Sequence, residues 1–89
     1  MKRYHIIVSG RVQGVGFRYF AVSLASRYHI SGWVRNLYNG NVEMEAEGSN
    51  DRLTLFLQEI QEGNRFVRVR DIQISEIPTK NDTDFRVVY

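Results

Sequence analysis

The 89-residue sequence contains no cysteine, which excludes disulfide frameworks and thiolate metal sites. Its two histidines, His5 and His29, stand far apart, which argues against a zinc site, and no metal or cofactor is expected. No apolar run approaches the ~20 residues needed to cross a bilayer. Met1-Lys2-Arg3-Tyr4 leads straight into an alternating segment, without the apolar region of a signal peptide. The expected location is therefore the cytoplasm, with no membrane contact. Internal repeats and low-complexity tracts are also missing. An excess of either charge is lacking too: the formal net charge is +2, so composition alone does not argue for nucleic acid.

The residues present suit a single globular domain over 1–89. A chain of this length buries roughly 60–65% of its unfolded surface, enough for one modest core. Tyr4 to Val12 alternates, with Tyr4, Ile6, Val8 and Val12 on one face, and predicts a strand. Phe17, Phe20, Ala21, Leu24, Ala25 and Tyr28 form a helical stripe, with a stop expected at Ser31-Gly32. Trp33 to Tyr38 predicts a short strand, and Asn39-Gly40 a two-residue hairpin turn. Val42, Met44 and Ala46 then alternate with Glu43, Glu45 and Glu47. Ser49-Asn50-Asp51 supplies the N-cap and acidic first turn of a second helix with Leu53, Phe56, Leu57 and Ile60 as its stripe, and Gly63 ends it. Between Val67 and Ile77 the apolar phase switches from Val67 and Val69 to Ile72 and Ile74, which predicts a bulge or a loop entering the strand near Val69. Phe85 to Tyr89 predicts a last short strand. The order β-α-β-β-α-β plus a terminal strand is the ferredoxin-like split arrangement, an α+β sandwich of an antiparallel sheet with two helices on one face.

The stretch from Gly10 to Tyr19 turns from strand to helix. Glycines at 10, 14 and 16 allow positive φ or close approach to a ligand, and successive N–H groups in such a turn can form an anion nest. A helix start adds free N–H groups and a positive dipole end. Arg18 at that start is disfavoured by the dipole unless an anion lies between them. The nucleotide loops do not fit. A P-loop would need glycine at the position of Val15 and a Lys-Ser/Thr pair, and a dinucleotide fingerprint would need glycine in place of Tyr19. The same glycines would also serve a plain connecting turn. Asn36 is a second candidate, since asparagine is disfavoured inside strands. It could orient a water or a ligand, or stand as a half-exposed polar residue.

Val12-Gln13-Gly14-Val15-Gly16-Phe17-Arg18 resembles the first signature of the acylphosphatase family, whose heart is Val-Gln-Gly-Val-x-Phe-Arg. Gly32-Trp33-Val34-Arg35-Asn36 resembles the second, with Gly40, Val42 and Gly48 at the later spacing. Both match without a gap, and the split topology agrees along the chain. Gly63-Asn64-Arg65 departs from the glycine-proline turn common in relatives. The resemblance implies metal-free, cofactor-free hydrolysis of small acyl phosphates to a carboxylate and inorganic phosphate. It also implies that Arg18 and the backbone amides of Gly14, Val15, Gly16, Phe17 and Arg18 hold the phosphoryl oxygens, and that Asn36 holds the attacking water. A carboxylate leaving group, with conjugate acid near pKa ~4, departs without a general acid. A monomer is expected.

The alternative is a non-enzymatic anion-binding or interaction domain of the same fold. An RNA-binding module is a weaker one, and no nucleic-acid contact is expected. The Glu43-Glu45-Glu47 row, read as a solvated face, would repel phosphates where such modules place aromatic platforms. Arg65, Arg68 and Arg70 read as solvated or paired, Trp33 and Tyr28 as core, and His5 as a surface residue without a nameable partner.

Overall fold

In the computed structural model, which describes Met1–Tyr89, the chain forms β1 (Lys2–Arg11), α1 (Phe17–Tyr28), β2 (Ser31–Asn36), β3 (Val42–Gly48), α2 (Asn50–Glu62), β4 (Arg68–Ile77) and β5 (Phe85–Val87). The strands make one sheet in the order β4-β1-β3-β2-β5. β1 runs antiparallel to β3 and β4, and β2 antiparallel to β3. The expected antiparallel sheet is thus present in four strands. The short β5 instead joins β2 in parallel and makes the sheet mixed. It reaches that edge because the loop after β4 carries the chain to the opposite side of the sheet. As a result β1, β2 and β5 all point the same way and finish at the same end of the molecule.

Period-2 alternation turns Ile6 and Val8 of β1, Val34 of β2 and Val42, Met44 and Ala46 of β3 to one face. Phe17, Ala21, Leu24 and Ala25 of α1 and Leu53, Phe56 and Ile60 of α2 cover them. Each large side chain buried here contributes roughly 1.5–3 kcal/mol. Ser49 caps α2 as the sequence predicts, its Oγ accepting from Arg52 N–H at 3.4 Å, and Gly63 closes it with φ 70°. The phase switch in β4 is a bulge. Ser9 pairs with Asp71 and Gly10 with Val69, which leaves Arg70 unpaired. Gly10 is required there, because a Cβ would fall 2.3 Å from the Arg68 carbonyl oxygen.

Several boundaries differ from expectation: β1 starts at Lys2 and ends at Arg11, β2 ends at Asn36, which is therefore terminal and not interior, and β5 ends at Val87. Helix α1 stops at Tyr28 because His29 itself takes the left-handed conformation, φ 56°, and its N–H bonds to Ala25 O. Ser31 and Gly32 already belong to β2. Gly32 is needed for close strand approach, since a Cβ would lie 1.9 Å from the Glu45 carbonyl oxygen. The β2–β3 turn is a three-residue loop, Tyr38 to Gly40, rather than a two-residue one. Leu37 N–H donates to Asn41 O at 2.9 Å and Gly40 N–H to Leu37 O at 3.2 Å. Only Gly40 has positive φ, so the turn is of the type I plus bulge kind.

The face away from the helices is also not as expected. Glu43, Glu45 and Glu47 are paired rather than solvated. Arg3, fully buried, meets Glu45 at 2.7 Å, Glu47 at 3.1 Å and Asp82 at 3.0 Å. Glu47, 1% exposed, also accepts the backbone N–H groups of Lys80 and Asn81. Burial would push the Glu45 and Glu47 carboxyls up. The hydrogen bonds they receive outweigh it and hold both below the usual carboxylate range. His5 does have a partner, Glu43 at 2.6 Å, which Arg35 shares at 2.7 Å. Trp33 lies on this face with the Arg35 guanidinium 5.6 Å from its ring centroid, not in the core, because β2 turns Gly32 and Val34 inward instead. Tyr28 is half-buried against the core, its hydroxyl donating to Glu59. Arg65, Arg68 and Arg70 are exposed. No helix is long and apolar enough to cross a membrane.

Candidate active site

The loop between β1 and α1 holds Gly14 at φ 73° and Gly16 at φ 82°. A Cβ at either would meet nothing within 4 Å, so the backbone conformation, not crowding, calls for glycine. Gly16 is the N-cap of α1 and supplies no capping side chain. Among the hydrogen bonds of turns and caps, no amide from Gly14 to Tyr19 is a donor; the first is Phe20 N–H, to Gly16 O at 3.0 Å. Unmet donors at a helix start normally attract Asp or Glu, but the first turn of α1 carries none. It carries Arg18, half-buried, whose guanidinium stacks 5.4 Å from the Tyr89 ring centroid and meets no carboxylate.

Asn36 ends β2 and is exposed. The side-chain hydrogen bonds of this corner belong to Gln13, Arg35 and Asn39, which leaves the Asn36 amide free. β1 and β2 finish at the same end of the sheet, so Asn36 and the loop face one cleft of about 220 Å3. Its walls include Gly14, Gly16, Phe17, Arg18 and Asn36, joined by Tyr19, Val87 and Tyr89. Of the residues expected at the site, Val15 alone does not line the cleft. Its side chain packs against the core, and only its amide is available. Phe17, 1% exposed, also contributes through its backbone, its ring edge-on to Phe20.

Sequence reasoning missed Val87 and Tyr89 as walls, because their place depends on the parallel docking of β5. It missed Gln13 as well, although the first signature contains it. The Gln13 amide donates to Leu37 O at 2.6 Å and Asn41 O at 2.7 Å and so ties the loop to the β2–β3 turn.

The electrostatics of the cleft suit an anion. Its walls carry backbone donors, one guanidinium and one carboxamide, and no Asp or Glu side chain. A larger groove of about 480 Å3, beside His29 and Phe85, is walled instead by Asp82 and Asp84 and offers an anion nothing comparable. The cleft can fix a small tetrahedral anion and place a neutral polar group beside it. It presents no cysteine, serine or histidine nucleophile.

Comparison with known proteins agrees with this chemistry. A family model described as Acylphosphatase matches residues 4–87. The acylphosphatase of Clostridium acetobutylicum is 54% identical over 90 residues, spanning 100% of this chain and 99% of its own. The crystal structure of acylphosphatase from Bacillus subtilis matches with a TM-score of 0.96 and 42% identity over the whole of both chains. An acylphosphatase from Coxiella burnetii matches with a TM-score of 0.92 and 36% identity, over 98% of this chain and 92% of that one.

Proposed function

The chain belongs to the acylphosphatase family and hydrolyses acyl phosphates to a carboxylate and phosphate; from that premise we propose how its own residues divide the work. The amides from Gly14 to Arg18 and the Arg18 guanidinium bind the phosphoryl oxygens, and Asn36 holds a water in line with phosphorus. The observation that carries this is the run of amides without protein acceptors at a helix start that bears an arginine and no acid. Each charge-assisted hydrogen bond contributes roughly 1.5–3 kcal/mol, so Arg18 and several amides together bind a phosphate group without a metal.

The reaction needs positioning and charge stabilisation more than covalent chemistry. As the bond from water oxygen to phosphorus forms, the bond from phosphorus to the carboxylate oxygen breaks. The carboxylate leaves with that electron pair, and the proton lost by water passes to the phosphate product. Asn36 is not a base; its amide fixes where the water stands. The whole of residues 1–89 acts as one domain, a cytoplasmic monomer working on small acyl phosphates rather than nucleic acid.

The test is acyl phosphate hydrolysis in the presence of a chelator, comparing the unaltered protein with Asn36→Ala. Loss of an aligned nucleophile lowers kcat about 10²-fold. The inhibition constant of inorganic phosphate should stay within about 2-fold, because the loop still binds it. Unchanged turnover in Asn36→Ala overturns the assignment.

A further inference from the structure

We propose that Gln13 is a positioning residue that sets the separation between the phosphate-holding loop and the water-holding Asn36. The proposal rests on the roles given above to the loop and to Asn36. Gln13 directly precedes Gly14, the first glycine of the turn. Its Nε2 donates to Leu37 O at 2.6 Å and to Asn41 O at 2.7 Å. Leu37 directly follows Asn36. One side chain thus joins the peptide before the nest to the peptide after the water-holding residue.

Little else makes this connection. The β1–β3 ladder ends at Val8 paired with Val42, and β1 then runs on toward the loop without further pairing to the hairpin. The two carbonyls are the ones that close the turn: Leu37 O already accepts from Gly40 N–H and Asn41 O from Leu37 N–H. Gln13 fills their second lone pairs. With a carbonyl at each end, only the NH2 group of Gln13 can face them, and each of its protons has one acceptor. The tie therefore has a defined length and polarity. In-line attack needs such a constraint, since a misplacement of ~1 Å costs about 10²-fold in rate. The loop conformation itself follows from Gly14, Gly16 and the start of α1, so the tie governs alignment rather than phosphate affinity.

The experiment is a double-mutant cycle between Gln13→Met and Asn36→Ala, with Gln13→Glu as companion and thermal unfolding as a check on folding. Gln13→Met keeps length and removes both donors. It should lower kcat by about 10- to 10²-fold and leave the phosphate inhibition constant within about 2-fold. Added to Asn36→Ala, it should slow turnover by no more than about 2-fold further, because the residue it positions is already gone. Gln13→Glu presents a carboxylate to two carbonyls and should be as slow at neutral pH. Relative to the unaltered protein it should recover as pH falls toward about 4, where a protonated carboxyl donates one hydrogen bond again. Should Gln13→Met not fold, the cycle is run with Gln13→Glu.

Effects of the two substitutions that multiply overturn the proposal. So does phosphate inhibition that weakens in step with kcat, which would mark general damage to the loop. An Asn36→Ala variant with full turnover removes the role of Asn36 first and this proposal with it; a slow Asn36→Ala beside a fast Gln13→Met overturns this proposal alone.

Discussion

Arg3 and Arg18 occupy opposite ends of the molecule and opposite chemical situations. Arg3, at the start of β1, is fully buried among Glu45, Glu47 and Asp82. Arg18, at the start of α1, stands half-buried among donors that have no acceptors. Near Arg3 the positive and negative groups match so closely that only its Nη2 lacks a partner. Around Arg18 the mismatch has one sign: amides, a helix start and a guanidinium all call for negative charge. A group satisfied within the protein stabilises the fold. A set left unsatisfied in a consistent sense costs stability until a ligand of the complementary charge arrives. The same residue type thus meets its partners at one end and stands among unmet donors at the other.

Three changes separate the two ends, the largest effect first. Arg18→Lys keeps the charge but loses the planar fork, and should reduce kcat/KM about 10³-fold, near 4 kcal/mol of transition-state stabilisation, while the unfolding midpoint in urea barely moves. Full activity with lysine would mean that a point charge suffices and the fork is incidental. Arg3→Met should do the reverse. It strands Glu47 without its cation and should destabilise the fold by about 3 kcal/mol or more, read by urea unfolding, with kcat of the folded protein unchanged. A loss of kcat there would show that the two ends are coupled.

The third and smallest effect is an acid dependence. Glu45 and Glu47 are held below the 4.5 of a free glutamate, so the stability they contribute is present above that value and lost as pH falls through the folded value. The melting temperature should therefore drop below about pH 4.5, and Glu47→Gln should flatten the drop. An equally steep acid profile in Glu47→Gln would move the origin elsewhere. No Asp or Glu side chain lines the cleft, and the share of this sensitivity carried by Glu45 and Glu47 sits at the Arg3 end.

The part of this protein legible in the sequence is the part set by near neighbours along the chain. The stripes of α1 and α2, the cap at Ser49, the stop at Gly63 and the bulge in β4 all follow from residues a few positions apart. The positive-φ glycines 14 and 16 and the helix start beside Arg18 were readable for the same reason, since both are made by consecutive peptides. Asn36 was readable only as an oddity in a strand, and by its likeness to a known motif. The left-handed His29 was not foreseen, because a histidine carries no strong preference for that conformation. The turn at Asn39-Gly40 closed one residue wider than its dipeptide suggested.

What the tertiary structure alone decided is direction and pairing across the sheet. β1, β2 and β5 run the same way, and that brings Gly14, Gly16, Phe17, Arg18, Asn36 and Tyr89 to one cleft. Alternation tells which side chains share a face of one strand, but it is silent on the order and sense of the strands. For the same reason a row of glutamates read as a solvated face proved to be the partner of Arg3 and His5, and Gln13 proved to bond across to the Leu37 and Asn41 carbonyls. Hydrogen bonds and ion pairs between distant residues depend on which strands lie side by side, and burial of the whole core settles that.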